Sequence, residues 1–200
     1  MFGLNKFDLT DLKTKLEERG FEALGKENLF LGGGGYGLIK RKIIIGGEGG
    51  GFSQEVVGDT SKATLSGGYG FFNVGRVIFS KGGFKFFPLI GIGGGALNLR
   101  IVERGITPTF DEILKNPGRE VNLTTVSFLF NLGVGLDYWL TLGGDEEEEG
   151  GLLFGVRAGY TVALSQANWK TADMDVLSGP DVSLTGPYIH LIFGGSGLKR

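Results

Sequence analysis

The chain has 200 residues, with 39 glycines, five prolines and no cysteine, and its formal net charge at neutral pH is −2. This composition excludes a disulfide framework, a thiolate zinc site and a cysteine nucleophile, and it lacks the basic footprint of a nucleic-acid-binding protein. Hydrophobic residues make up 41% of the chain, which is enough to build the core of one large β domain.

A short amphipathic helix is predicted near the N-terminus, over residues 8–19, with Asp8 as its N-cap and Gly20 just beyond its end. Three leucines recur along one face of this helix: Leu9, Leu12 and Leu16. We expect the helix to lie on the surface of a β-barrel or across its mouth. This part of the chain contains no apolar stretch of the kind that a signal peptide needs, and no window approaches the roughly 18 apolar residues of a transmembrane helix.

From residue 28 onward the sequence predicts strand after strand, because apolar residues alternate with small ones. Seven strands are predicted: 28–39, 42–55, 62–80, 84–103, 122–142, 152–166 and 186–195. An eighth strand, which would close the sheet on itself, is expected within 168–184. Short turns alternate with long connections along the chain, which favours a hairpin-by-hairpin order.

These patterns predict an all-β fold, a roughly eight-stranded antiparallel up-and-down β-barrel with a short N-terminal amphipathic helix. We assign residues 1–27 to an N-terminal segment that carries the helix and residues 28–200 to the barrel domain.

The strand over 122–142 indicates which face of the barrel is apolar. Its even-numbered positions from 126 to 142 are apolar without a single charge, whereas the odd-numbered ones are mostly small or polar and include Asp137. The interior of a barrel of about eight strands has just enough room for side chains, which suits the small residues. We therefore expect the apolar face to point outward, toward lipid or other protein. The residues assigned to it are Phe128, Phe130, Leu132, Val134, Leu136, Phe154, Val156 and Tyr160.

The few charged residues within strand cores fall on the less apolar face of each strand, so we expect them to point inward. The predicted interior cluster consists of these five residues and the single histidine: Glu48, Arg76, Arg100, Asp137, Arg157 and His190. Charges buried there would have to pair, because an unpaired buried charge costs several kcal/mol. They would form a structural set of ion pairs or line a narrow ion path.

Sequence motifs give little support for catalysis or for a bound cofactor. The run GGGGYG (32–37) matches GxGxxG, but a strand comes after it where a dinucleotide site needs a helix. The acidic run DEEEE (145–149) lacks the ligand spacing of a calcium loop and is predicted to be a solvated turn. We assign no catalytic, metal-binding or cofactor-binding residue, and we predict no cofactor, no nucleic acid and no small-molecule substrate.

The long alternating strands resemble those of small bacterial outer-membrane β-barrel proteins. The resemblance rests on three stretches, on the Gly-rich hairpins and on aromatic residues that would form girdles: VSFLFNLGVGLDYWLTL (126–142), LLFGVRAGYTVAL (152–164) and GPYIHLIFGG (186–195). It implies a closed antiparallel barrel of structural, adhesive or small-pore type, located in the bacterial outer membrane or at the cell surface.

Three functions are open at this point. The leading hypothesis is a non-enzymatic, outer-membrane-like β-barrel protein of structural or narrow-pore type, with membrane lipid as its partner. In the second, copies of the protein assemble into a fibre or tube through the same apolar exterior. The third is a lipid-modifying membrane-barrel enzyme, for which His190 is the one catalytic candidate.

Overall fold

The computed structural model describes residues 1–40, 42–105, 109–115, 120–145, 148–172 and 174–199, and it describes their side chains except at 112–113, 142–149 and 196–199. The chain is nearly all β, with 72% of its residues in strands. The elements in chain order are β1 (Phe2–Asn5), α1 (Thr10–Glu17), β2 (Asn28–Ile39), β3 (Ile43–Val57), β4 (Ser61–Arg76), β5 (Phe79–Lys81), β6 (Phe84–Glu103), α2 (Phe110–Lys115), β7 (Glu120–Asp145), β8 (Glu148–Gln166), β9 (Lys170–Thr171), β10 (Met174–Asp175) and β11 (Gly186–Lys199).

Eight strands form a closed antiparallel ring in which each strand pairs with its neighbours in chain order. The ring runs through β1, β2, β3, β4, β6, β7, β8 and β11, and the pairing of β11 with β1 closes it. The short β5 forms a hairpin with β6, while β9 and β10 attach at the edge of β7. The all-β, antiparallel part of the prediction is confirmed.

All seven predicted strands are present, but the eighth was placed wrongly. The residues that the structure describes between 168 and 184 form only the two-residue strands β9 and β10, which lie outside the ring. The eighth strand of the ring is β1 (Phe2–Asn5), within the segment that was assigned outside the barrel domain. Four residues are too few to show an alternating pattern, so the sequence carried no recognisable signal for β1. The predicted strand over 62–80 divides into β4 and β5.

The two ends of the ring differ, and we name them by what they carry. The hairpin end carries the short connections from β2 to β3, from β5 to β6 and from β7 to β8, and the helix end carries α1 and the long connections. The predicted helix is confirmed as α1, although it begins at Thr10, with Leu9 in the N-cap position. Gly20 lies just beyond it with φ of 79°, the left-handed conformation that terminates helices.

Helix α1 packs its leucines into the main apolar core, at the helix end of the ring. Leu12 and Leu16 are buried together with inward residues of the surrounding strands. The buried members of this core are Phe7, Leu9, Leu12, Leu16, Leu24, Phe30, Phe52, Val56, Ala63, Leu65, Tyr69, Phe71, Leu97, Leu99, Leu129, Trp169, Val182 and Leu184. The helix therefore acts as an apolar plug. Among the described residues, neither helix is long and apolar enough to cross a membrane.

Replacing Leu12, which is 2% exposed, with alanine tests the plug. We expect Leu12→Ala to lower the free energy of unfolding by about 2–5 kcal/mol, because it leaves a cavity where α1 meets the strands. Equilibrium unfolding in guanidinium, monitored by far-UV circular dichroism, measures this change. The control is Glu17→Ala on the exposed side of the same helix, for which we expect a change within about 0.5 kcal/mol. Equal effects of the two substitutions would contradict the packing of α1 into the ring.

Candidate functional site

A cavity of about 290 Å³ lies inside the ring toward the hairpin end. The side chains that line it combine two charges with aromatic and amide groups, and glycines of β2, β3 and β11 complete its wall. The lining residues that matter for its chemistry are Tyr36, Glu48, Asn73, Phe87, Trp139 and Arg157. Because charged, amide and aromatic side chains converge on this cavity, it is the candidate site.

A buried ion pair between Asp137 on β7 and Arg157 on β8 stands beside this cavity. Asp137 is fully buried and Arg157 is 4% exposed. Both guanidinium Nη atoms donate to the carboxylate, one of them to Oδ2 at 3.1 Å, and the Tyr36 hydroxyl donates to the same oxygen. Since a bidentate Arg–carboxylate contact is among the stronger ion pairs in proteins, these three residues hold β2, β7 and β8 together.

Glycines make room for this ion pair in the β7–β8 hairpin. Asp137 lies opposite Gly155, and Arg157 lies opposite Gly135. A Cβ atom at Gly155 would collide with the Asp137 carboxylate, and one at Gly135 would collide with the ring of Phe87. The guanidinium carbon of Arg157 lies 4.6 Å from the centroid of that ring, so the charge is stacked on an aromatic face as well as paired.

Glu48 is the second carboxylate of the site and projects from β3 beside the cavity. It is half-buried, and none of the described lysine or arginine side chains lies within 4.0 Å of its carboxylate. Asn73 interacts with Glu48 through its side chain, and its own carbonyl oxygen accepts a hydrogen bond from Asn131 Nδ2 at 3.2 Å. Glu48 is therefore the one inward carboxylate that the described residues leave without an ion-pair partner.

His190 is buried in a separate polar cluster, closer to the helix end. Its Nε2 lies 2.8 Å from Asn5 Oδ1, and its ring stacks on Phe30 and Tyr188 with centroid distances of 4.9 and 4.6 Å. Asn5 also donates through Nδ2 to the Tyr69 hydroxyl at 3.0 Å. The cluster fixes β1 between β11 and the rest of the ring, which is a structural arrangement.

Asp137 and Ser183, two residues of the kinds that act with a histidine in catalysis, bind elsewhere. Asp137 is held by Arg157 and Tyr36, and Ser183 Oγ donates to Thr185 Oγ1 at 2.7 Å. No catalytic grouping forms around the imidazole within the part of the chain that the structure describes.

Two of the six predicted interior residues, Arg76 and Arg100, point outward, so their assignment was wrong. Arg76 is exposed at the hairpin end of β4, and Arg100 is exposed on β6 near the helix end. Arg100 Nε lies 2.6 Å from Glu120 Oε1 in a surface ion pair. The error arose because both faces of β4 and β6 are largely apolar or glycine, so the alternation did not show which face was inside. Asp137, Arg157 and His190 are buried inside the ring, and Glu48 faces its cavity.

The structure places the predicted outer-face residues on the outside of the ring. Phe130 is partly buried and the other seven are exposed: Phe128, Leu132, Val134, Leu136, Phe154, Val156 and Tyr160.

Sequence reasoning missed Tyr36 and Trp139, which line the site without carrying a charge. Tyr36 lies within GGGGYG, which continues along β2 as a strand, as predicted. Trp139 lies under the Lys85 ammonium, which is 3.6 Å from the centroid of its ring. The alternation of side chains along β2 and β7 would have predicted that both point inward.

The described residues offer no group of three or more His, Asp or Glu side chains that could hold a metal ion. Parts of the acidic run 145–149 lie outside the described residues, so its predicted role as a solvated turn stays a prediction.

No protein-family model matches this chain, and no match was found among curated proteins or solved structures. Any function proposed for the protein therefore rests on the geometry of the ring and its cavity.

Replacing Arg157 tests the buried ion pair. We expect Arg157→Met to lower the free energy of unfolding by about 3–5 kcal/mol, because it leaves the Asp137 carboxylate buried without a counter-charge. Denaturant unfolding measures the loss, and the double variant Asp137→Leu/Arg157→Met should recover much of it.

The matched control is Arg100→Met, which breaks the exposed pair with Glu120. It should cost no more than about 1 kcal/mol, since exposed ion pairs are screened by water. A loss at Arg100 as large as that at Arg157 would contradict the assignment of Asp137 and Arg157 to the interior.

Proposed function

We propose that the ring is a β-barrel whose outer surface contacts membrane lipid, and that the protein is a non-enzymatic, outer-membrane-like barrel of structural type. The observation that carries this proposal is the outer face of β7. Every even-numbered residue from Val126 to Leu140 is apolar, and all of them except Phe130 are exposed. This run exceeds the roughly 9–11 residues with which a tilted strand crosses a bilayer.

The apolar surface continues from β7 onto the neighbouring strands. Exposed apolar side chains on β8, β11 and β1 extend it around the ring: Phe154, Val156, Tyr160, Leu164, Ile189, Leu191, Phe193, Phe2 and Leu4. An exposed patch of this extent marks a contact with a membrane or another protein.

The outward charges support a lipid contact because they lie toward the two ends of the ring. Arg76 lies at the hairpin end of β4, and the pair Arg100–Glu120 lies at the helix end of β6 and β7. A second exposed pair, Glu55–Lys62, lies where β3 turns into β4, also at the helix end. An apolar belt between two charged rims is the arrangement that a bilayer with its polar surfaces requires.

The closed helix end favours the structural type over the narrow pore. At the helix end, α1 and its leucines pack against inward residues of the strands and fill the ring. At the other end, Asp137 is neutralised by Arg157 and enclosed. An ion path would need water and accessible charge along its length. Asp137 and Arg157 provide no accessible charge, because they are buried and paired with each other.

The enclosure of His190 likewise supports a non-enzymatic protein. The imidazole is 1% exposed and stacked between aromatic rings, so the one catalytic candidate is shielded from substrate. In this proposal the protein is located in the outer membrane or at the surface of a bacterium.

A second candidate function, assembly through the exterior, is favoured by a row of glycines. Gly33, Gly49, Gly70 and Gly94 lie directly opposite one another across β2, β3, β4 and β6, on the outer face. Because these glycines have no side chains, a second copy of the protein could approach this part of the outer face closely, as small residues allow transmembrane helices to do.

An arginine placed at two depths on β7 tests the lipid contact. In phospholipid vesicles we expect Leu132→Arg, at the middle of the apolar run, to lower the free energy of unfolding by about 2–4 kcal/mol. Leu140→Arg, near the hairpin end, should cost only about 0–1 kcal/mol, because the charge reaches the polar surface of the bilayer. Guanidinium unfolding of vesicle-bound protein, recovered by flotation, measures both values.

Equal costs at the two depths would contradict a bilayer around β7. Lipid-free fibres that form from the unchanged protein and are abolished by both arginines would instead support assembly through the exterior.

A further inference from the structure

The ring contains a gap on one side, because β1 is much shorter than the strands that flank it. Phe2 lies opposite Leu31 of β2 and also opposite Leu191 of β11. Beyond this row, Met1 still accepts a hydrogen bond from Gly32 N at 3.1 Å. Farther toward the hairpin end, the described residues provide no strand between β2 and β11.

The two free edges that border the gap match each other in length. A row here means the residues that lie side by side across β2, the position between the strands, and β11. If the register of β1 is continued, the next row contains Gly33 and Phe193, and the last row contains Ile39 and Lys199. Both β2 and β11 end at this last row, so each edge offers seven residues (33–39 and 193–199). β1 separates these strands by two strand spacings, roughly 10 Å, which is the width that one further strand requires.

The gap is an open space with unpaired backbone on its walls. The cavity of about 290 Å³ is lined by Gly33–Gly35 on one side and by 192–195 on the other. A Cβ atom added at Gly35 or Gly194 would meet nothing within 4 Å. Since Gly32 directs its N–H toward β1, alternation directs the N–H and C=O groups of every second residue farther along β2 into the gap.

We propose that this gap is a docking site for one β-strand of a separate polypeptide, which runs as a continuation of β1 and pairs with both β2 and β11. Addition of a strand to an exposed edge is a common mode of peptide recognition. Here both sides of the added strand find a partner, and its pairing continues the β1–β2 and β1–β11 ladders without a break.

The walls of the gap define the chemistry of the strand. Its outward residues lie beside glycines such as Gly33 and Gly35 and continue the apolar exterior, so large apolar side chains suit them. Its inward residues face the cavity. The inward residue of the second row lies opposite Gly34, whose neighbour in the next strand is Glu48. A hydrogen-bond donor at this position would reach the carboxylate that has no ion-pair partner. The fitting strand is therefore seven residues long, free of proline, apolar outward and small or donor-bearing inward.

A peptide based on residues 126–132 with serine in place of Leu129, Val-Ser-Phe-Ser-Phe-Asn-Leu, has this pattern. In the proposed register its third residue from the C-terminus lies opposite Gly35, in a pair without mutual hydrogen bonds, where the Cβ atoms come close enough for a disulfide. The test combines this peptide, carrying cysteine at that position, with the full-length Gly35→Cys variant in detergent micelles. The chain has no other cysteine.

We expect the disulfide to form roughly tenfold or more faster with Gly35→Cys than with Gly70→Cys, because docking raises the effective concentration of the thiol. Gly70 is the matched control, since it is an outward glycine on β4 with β3 and β6 paired on its two sides. Moving the peptide cysteine by one residue turns it inward and should abolish the preference. N-methylation of the second, fourth and sixth residues from the C-terminus should do the same, because it removes the hydrogen bonds to β2.

Three results would overturn the proposal, provided circular dichroism shows that the variants are folded. Equal cross-linking at Gly35 and Gly70, or cross-linking that survives N-methylation, would mean that the peptide only adheres to an apolar surface. Absence of any cross-link would mean that the gap takes no strand. Disulfide dimers of Gly35→Cys that form first and exclude the peptide would mean that a second copy occupies the gap.

Discussion

The narrow interior of an eight-stranded ring is the constraint on which the rest of the structure depends. Several of the largest inward side chains have a glycine as their neighbour across the sheet. The Tyr188 hydroxyl lies where a Cβ atom at Gly133 or Gly159 would be only 2.6 Å away. Gly135 and Gly155 make the same room for the Asp137–Arg157 pair. The high glycine content is thus partly a consequence of filling a small space with a few large and charged groups.

Because so little space is available inside, most of the apolar side chains of the ring lie outside. A water-soluble protein would need to cover such a surface with charge, yet the outward charges are found toward the ends of the strands. The interior is divided between an apolar plug at the helix end and a polar region at the hairpin end. The apolar exterior, for which we propose contact with lipid, and the closed helix end therefore belong to the same arrangement of strands.

The sequence predicted most of this arrangement where alternation was strong and failed where it was weak. On β7, where one face is apolar and the other mostly small, the even-numbered positions from 126 to 140 lie on the outer face, as the alternation predicted. On β4 and β6 apolar residues and glycines occur on both faces, so the prediction that Arg76 and Arg100 point inward was wrong. The closing strand β1 was missed because four residues show no periodicity. The gap depends on the lengths of β1, β2 and β11 together, which only the three-dimensional pairing reveals.

The most direct test of the central claim is the accessibility of the outward positions of β7 in phospholipid vesicles. Single cysteines at the even-numbered positions from 126 to 140 can each be labelled with a nitroxide, since the chain has no cysteine of its own. The account predicts frequent collisions with lipid-soluble oxygen that reach a maximum near Leu132, and few collisions with a water-soluble nickel complex. Frequent collisions with nickel at the middle positions, or protection from both reagents, would contradict a lipid-facing exterior.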